Sequence, residues 1–356
     1  MPRGPVSLGR RGLLLGAVGV SSLTLAGCGI HLEDDAPHVP LVPRRTPIGG
    51  ETVLLALLRN SRELAAAVAT WKTGPQVALA PVLATIHHQQ AEVVAALLGD
   101  AHVPADLIAA AAPTPVTTGA TAGPTATVGA TATAGATITA LERSPLVDAP
   151  ALAAAPAPLL ATVAATLAQH YAAAAVLGGT TPRLGPAGSS TGTASTAPTT
   201  TAPSATASPS AEATTRAPGG RWPAADLLAL LGATRSAVYG FEVVAAQGDK
   251  AGRALALRTL ATLTAIQSEQ EAALPAQAPP APVGYPLPFT VTTPALARRL
   301  AGRLALRLRA AYGSGLGAAA QGPVPFLDLV GWLGQVEVLV HDWGGALVPF
   351  PGMTTP

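Results

Sequence analysis

Leu227-Leu228-Ala229-Leu230-Leu231, running on into Ser236-Ala237-Val238-Tyr239-Gly240-Phe241, opens the part of this 356-residue chain whose reading decides the fold. It heads the first of four long helical segments: 223–247, 250–274, 294–313 and 324–347. A helix of about 23 residues is ~34 Å long. Four such helices joined by short turns make a four-helix bundle of ordinary domain size. The expected fold class is therefore all-α, with a four-helix bundle over 222–347. Alternating Val/Ile/Thr is confined to Phe289–Thr293, too short to matter.

Working outward from that bundle, further helices precede it. In 51–73, Val53, Leu54, Leu57, Leu58, Leu64, Val68 and Trp71 recur at helical spacing, and Gly74-Pro75 stops the pattern. Leu79, Val82, Leu83, Ile86, Val93, Val94 and Leu97 repeat it over 76–98, closed by Gly99. These two form an N-terminal helical pair within 50–110. A third helix lies within 146–178, along Leu160, Val163, Leu167, Tyr171 and Leu177. The three either pair with the C-terminal bundle or form a degenerate bundle of their own. Residues 111–145 and 179–221 are almost wholly Ala, Thr, Gly, Pro, Ser and Val, without periodicity. They lack the large side chains that would offset the entropy of ordering, so both read as disordered linkers. One faint echo joins Leu159-Leu160, Ala165-Thr166 and Tyr171 to Leu227-Leu228, Ala233-Thr234 and Tyr239 at a constant offset.

Composition narrows the function classes. The chain is 49% hydrophobic, yet only 3% aromatic and 11% charged, so the apolar excess is mostly alanine. One Cys excludes a disulfide scaffold, and scarce charge excludes a coiled coil. No run of ~20 strongly apolar residues stands out as a membrane span. The balance of 21 basic to 19 acidic residues gives +2, but Arg3, Arg10 and Arg11 sit in the first eleven positions. Without them 18 basic residues face 19 acidic ones, and nothing favours a nucleic-acid partner.

The first residues read as an export and anchoring signal. Arg3, Arg10 and Arg11 make a positive n-region, and Gly12–Gly27 is an apolar stretch of signal-peptide length. It ends in Leu25-Ala26-Gly27-Cys28, which resembles the bacterial lipobox: a lipoprotein signal peptide over 1–27, then lipidation at Cys28, the only thiol. Residues 28–49, with Pro37, Pro40, Pro43 and Pro47, form a tether. The expected location is the outer face of the cytoplasmic membrane, with membrane lipid a partner through acylated Cys28. Arg10-Arg11 also resembles a weak twin-arginine signal, leaving the export route open.

Ser236–Phe241, the linker Tyr285-Pro286-Leu287-Pro288-Phe289, the helix ending Ala310-Ala311-Tyr312 and the last helix ending near Trp343 together resemble the DUF4439 family. The resemblance covers about 223–345 and implies an actinobacterial-type protein with a ferritin-like four-helix bundle. Ferritin-like metal sites draw Glu and Glu-x-x-His ligands from four helices, since i and i+3 share a helix face. In relatives a Glu-His pair precedes the Ala-Ala-Val-Tyr stretch. Here Thr234 and Arg235 occupy those positions, and Ala305 replaces a Glu of the third helix. No His lies between 171 and 340, so the resemblance implies a bundle without its metal site.

Few other residues could carry chemistry. Glu337 and His341 stand four apart on the last helix, a local pair or a two-ligand site. In the first half, Glu63, His87 and His170 come from three helices, and one Glu with two His is an alternative metal set. The competing reading is two satisfied bundle histidines. His88 and Glu92 form a surface i,i+4 pair. Arg298, Arg299, Arg303, Arg307 and Arg309 lie on a helix without acids, either a solvated face or one that touches anionic headgroups. Phosphate loop, Gly-x-Ser elbow and Cys nucleophile are all missing, so no catalytic residue and no cofactor is nominated. The sequence thus predicts a lipid-anchored envelope protein with a non-catalytic binding or scaffolding role and an unknown protein or small-ligand partner. The alternatives are a metal-binding or redox protein and a carrier of a small hydrophobic ligand.

Overall fold

A computed structural model describes residues 45–113, 134–178, 184, 221–274 and 278–353. Leu25, Ala26, Gly27 and Cys28, most of the tether and most of both linkers lie outside the described residues. The body treated below is the compact unit Pro47–Pro356.

Local chemistry sets the helix ends. Helix α1 (Glu51–Thr70) starts after Gly50 at φ 68°, and the Glu51 carboxylate accepts the Ile48 N–H. Helices α2 (Ala80–Asp100), α9 (Pro294–Ser314) and α10 (Pro323–Asp342) each place a proline in the first turn, where no donor is lost. Asp249 caps α8 (Lys250–Ala273) by accepting from Gly252 N–H at 2.7 Å, and Thr293 caps α9 through Leu296 N–H. Helix α7 (Ala224–Gln247), the short α3 (Ala105–Ala110) and α5 (Ala149–Leu152), α4 (Ala134–Val147) and α6 (Ala157–Gly178) complete the set. Among the described residues there is no strand.

The C-terminal bundle is as expected: α7 packs on α8 and α9, and α9 on α10. The N-terminal half differs from expectation. Residues 134–145, read as the end of a linker, belong to α4, and the helix read within 146–178 begins only at Ala157. With α4 in place the first half is also a four-helix bundle. There α1 packs on α2 and α4, and α4 on α6, the same pairing order as in the second half.

That order is repeated in sequence. Leu54-Leu55-Ala56-Leu57-Leu58 of α1 matches Leu227-Leu228-Ala229-Leu230-Leu231 of α7. Ser61 and Thr234, at matched positions, each donate a hydroxyl to the carbonyl four residues back, Leu57 at 3.1 Å and Leu230 at 3.0 Å. The neighbouring Arg62 latches the carbonyls of Ile108 and Ala111, and Arg235 latches that of Pro279, each beyond the bundle's second helix. Pro156-Ala157-Pro158-Leu159 likewise matches Pro323-Val324-Pro325-Phe326. The chain is an internal duplication. The echo between 159–171 and 227–239 pairs α6 with α7, whereas α1 and α7 are the equivalent helices.

The two fourth helices, α6 and α10, pack on each other and join the bundles. Gly334 makes their close approach possible, because a Cβ there would lie 2.6 Å from Tyr171 Cδ1. Three helices, α6, α7 and α10, are long and apolar enough to cross a membrane, contrary to the sequence expectation. In this fold 89% of the apolar window of α6 and 72% of that of α10 are buried inside the protein.

Candidate metal centre

Helix α2 turns Leu83, His87, Gln90 and Val94 inward at i, i+4, i+7 and i+11 spacing. Helix α4 buries Ile138 and, one turn later, Glu142. Helix α6 is sheathed by protein along most of its length, so Gln169 and His170 face neighbours too. His87, Gln90, Glu142, Gln169 and His170 are all fully buried. The bundle therefore brings one carboxylate and two imidazoles together in a fully buried interior.

Glu142 is the hub. Its Oε1 lies 2.8 Å from His87 Nε2 and its Oε2 2.6 Å from His170 Nδ1. The two imidazoles stack, with ring centroids 5.4 Å apart. His87 Nδ1 lies 3.0 Å from Gln90 Oε1, and Gln90 Nε2 donates to Gln169 Oε1 and to the Pro349 carbonyl, both at 2.9 Å. Among the described residues, His170 Nε2 and Gln169 Nε2 are buried without a hydrogen-bond partner.

Electrostatics fix the charge states. Burial alone would raise the Glu142 pKa. The charge of His87 and the hydrogen bonds to His170 and His87 outweigh it and hold the carboxyl at about 2. Burial lowers the His170 pKa more than Glu142 raises it, so that ring is biased toward neutral imidazole. Both ring nitrogens of His87 face oxygen atoms. The cluster thus holds a buried carboxylate beside an imidazole biased toward its neutral form. A metal cation at the cluster would meet that carboxylate with positive charge.

The donor set suits a divalent first-row metal. One atom from each of His87, Glu142 and His170 lies within 4.8 Å of the others. Metal–donor distances of about 2.0–2.2 Å put neighbouring donors about 3–3.5 Å apart, within the 4.8 Å that encloses the three donors here. Imidazole with carboxylate favours zinc, iron, manganese or nickel over calcium or magnesium.

Of the residues singled out in the sequence, His87 and His170 come together, but half-buried Glu63 on α1 is not part of the cluster. Glu142 supplies the carboxylate instead. Its signal was present: it is the sole acid between Asp106 and Asp148, one turn after Ile138, but alanine and threonine around it masked the helix. His88 and Glu92 form the expected exposed pair at 3.4 Å. Glu337 does not pair with His341. It accepts from Arg309 at 3.1 Å and from Val348 N–H at 3.3 Å.

The Arg309–Glu337 pair is the duplicated counterpart of Glu142–His170. Each pair spans 28 residues and joins the third helix of a bundle to its fourth. Glu142 and Arg309, like His170 and Glu337, stand 167 positions apart, the offset that aligns Pro158 with Pro325. Elsewhere in the C-terminal core Thr234, Gln270 and Tyr312 form a hydrogen-bonded network at 2.8 and 2.6 Å, and Ala305 is buried without polar atoms. Among the described residues no second group of three metal-donor side chains exists.

Residues 227–355 match the family model described as Domain of unknown function (DUF4439). That match lies in the C-terminal bundle, and the His87–Glu142–His170 cluster falls outside it. No curated protein and no solved structure matches the chain.

Proposed function

We propose that the chain is a metal-binding protein whose N-terminal bundle holds one divalent transition-metal ion through His87, Glu142 and His170. One observation carries this reading: three fully buried donors from three helices converge within 4.8 Å on an ionised carboxylate. All three donors are fully buried, which suits holding a metal more than processing a substrate. The same proposal makes it an exported protein anchored in the cell envelope by lipid on Cys28. The Leu25-Ala26-Gly27-Cys28 sequence supports that part.

A second reading has an observation of its own. Both Glu142 oxygens are directly hydrogen-bonded to histidine, so the cluster can also serve as a metal-free polar pin in a scaffolding or binding protein. Elemental analysis of purified residues 29–356 separates the two. One equivalent of a transition metal, lost in His87→Ala and His170→Ala, supports the metal reading. Protein that stays metal-free after incubation with zinc, iron(II) and manganese overturns it. Radiolabelled palmitate incorporated into the full chain and absent from Cys28→Ser tests the anchor independently.

A further inference from the structure

Helix α9 carries five arginines and no acid. Arg309 is turned inward to Glu337, but Arg298, Arg299, Arg303 and Arg307 are exposed. Arg298 has only a long contact, 3.9 Å, with Asp249. Among the described residues no carboxylate lies within ion-pair distance of Arg299, Arg303 or Arg307.

The geometry is more specific than a scatter of charge. The guanidinium groups of Arg299 and Arg303 both sit over the Phe289 ring, 5.4 and 5.5 Å from its centroid. The Phe289 ring thus gathers and orients two like charges, whose mutual repulsion favours an anion beside them. Arg299, Arg303, Leu306 and Ala310 follow at i, i+4, i+7 and i+11, one stripe about 16 Å long. Leu306 is a large apolar side chain left 48% exposed. It forms one wall of a largely apolar groove of roughly 470 Å³ that Ala310, Val348, Pro349, Phe350 and Met353 continue and that Gln89 and Arg309 also line. The stripe runs from paired guanidiniums to a largely apolar trough.

We infer that this face of α9 binds an anionic phospholipid. The phosphate sits in the fork of Arg299 and Arg303, flanked by Arg307, and acyl chain lies along Leu306 and the groove. Guanidinium matches phosphate oxygens in a planar, two-pronged geometry. The trough fits a hydrocarbon chain better than it fits the base edges or backbone of a nucleic acid. The inference is independent of the metal centre. Its setting in the cell rests on the proposed lipid anchor at Cys28, which would hold this face near headgroups.

The test is vesicle co-sedimentation of residues 29–356, which lack Cys28, so the anchor cannot contribute. Vesicles of phosphatidylcholine alone are compared with vesicles containing phosphatidylglycerol. The expected result is binding to the phosphatidylglycerol vesicles only, weakening as salt rises. Each arginine near an anionic surface accounts for about a fivefold gain in partitioning. The double variant Arg299→Glu with Arg303→Glu should therefore lose at least about twentyfold. Leu306→Ser should weaken binding while leaving the salt dependence intact. Arg253→Glu, a charge reversal on α8, should change little, and far-UV circular dichroism should show all variants folded. Equal binding to neutral vesicles, or undiminished binding by the folded double variant, would overturn the inference. So would duplex DNA bound with the same affinity and lost in the same variant. Failure here leaves palmitate labelling of Cys28 unaffected, so the two outcomes are distinguishable.

Discussion

Glu142→Gln is the most informative single change in the molecule. The substitution keeps shape and volume but removes the one negative charge between two buried imidazoles, at 2.8 and 2.6 Å. Breaking a buried charged network from one side costs about 3–5 kcal/mol, because buried partner groups lose the group they were paired with. For a body of this size 1 kcal/mol shifts the melting temperature by about 2–4 °C, so metal-free Glu142→Gln should melt about 10 °C below the native chain. A metal adds a second, separable effect. Free metal at a thousand times its dissociation constant stabilises the native protein by about 4 kcal/mol, and the variant should gain almost none of this. The assay is thermal unfolding followed by circular dichroism, in chelator and then with added zinc or manganese. The native curve should move up with metal, and the variant curve should stay low in both. If Glu142→Gln in chelator melts within a degree or two of the native chain, the charged hub does not hold the bundle. If it also shows the native metal shift, the ligand assignment is wrong.

Other predictions follow from packing and titration. Gly334→Ala places a Cβ 2.6 Å from Tyr171 at the junction of the two bundles and should cost about 1–3 kcal/mol in denaturant unfolding. Gly232→Ala is its opposite: a Cβ there meets nothing within 4 Å on α7, so helix propensity should give a gain of about 0.5–1 kcal/mol. Burial raises the Glu337 carboxyl to about 7, although Arg309 and Val348 N–H pull it down. A raised folded pKa means the fold favours the protonated acid. Its contribution is full below the unfolded value of 4.5 and lost as pH rises through about 7. The loss is about 3 kcal/mol, and Glu337→Gln should flatten that part of the stability–pH curve, read by urea midpoints across the range.

The fold was legible where apolar residues alternate with neutral ones at helical spacing. Leu227–Leu231 and Leu54–Leu58 announce their helices, and Pro81, Pro294 and Pro323 mark starts. Helix α4 was not legible because its stability is tertiary. Ala134–Val147 contains glycine, three threonine or serine residues and an internal Pro145, a poor helix on propensity alone. It is helical because Ile138, Leu146 and Glu142 are buried against α1, α2 and α6. Losing α4 hid the carboxylate and left Glu63 as the only acid near two inward histidines. Both histidines were legible, since their positions on α2 and α6 follow from the stripes that bury Leu83 and Leu167. The duplication escaped because its strongest match joins α1 to α7, while the echo between α6 and α7 drew attention to helices that occupy different places in their bundles.

The duplicated halves also explain each other. Each bundle buries an acid where its third helix meets its fourth, and ionising a buried acid needs a cation beside it. In the C-terminal half the chain supplies it: the Arg309 guanidinium lies 3.1 Å from Glu337. In the N-terminal half the equivalent of Arg309 is the acid itself, Glu142, and the equivalent of Glu337 is His170. The positive charge there must come from a proton or a metal. One exchange of residue types thus separates a self-neutralised bundle from one open to an outside cation. Arg309→Met puts this to the test. It should drive the Glu337 carboxyl further above about 7, since burial would no longer be opposed by the guanidinium. It should leave metal content at His87, Glu142 and His170 unchanged. Carboxyl carbon NMR across a pH series reads the first effect, and elemental analysis reads the second. A Glu337 titration that stays in place would mean Arg309 is not its neutralising partner. Metal lost from Arg309→Met that remains folded would mean the two halves do not keep their charges separately.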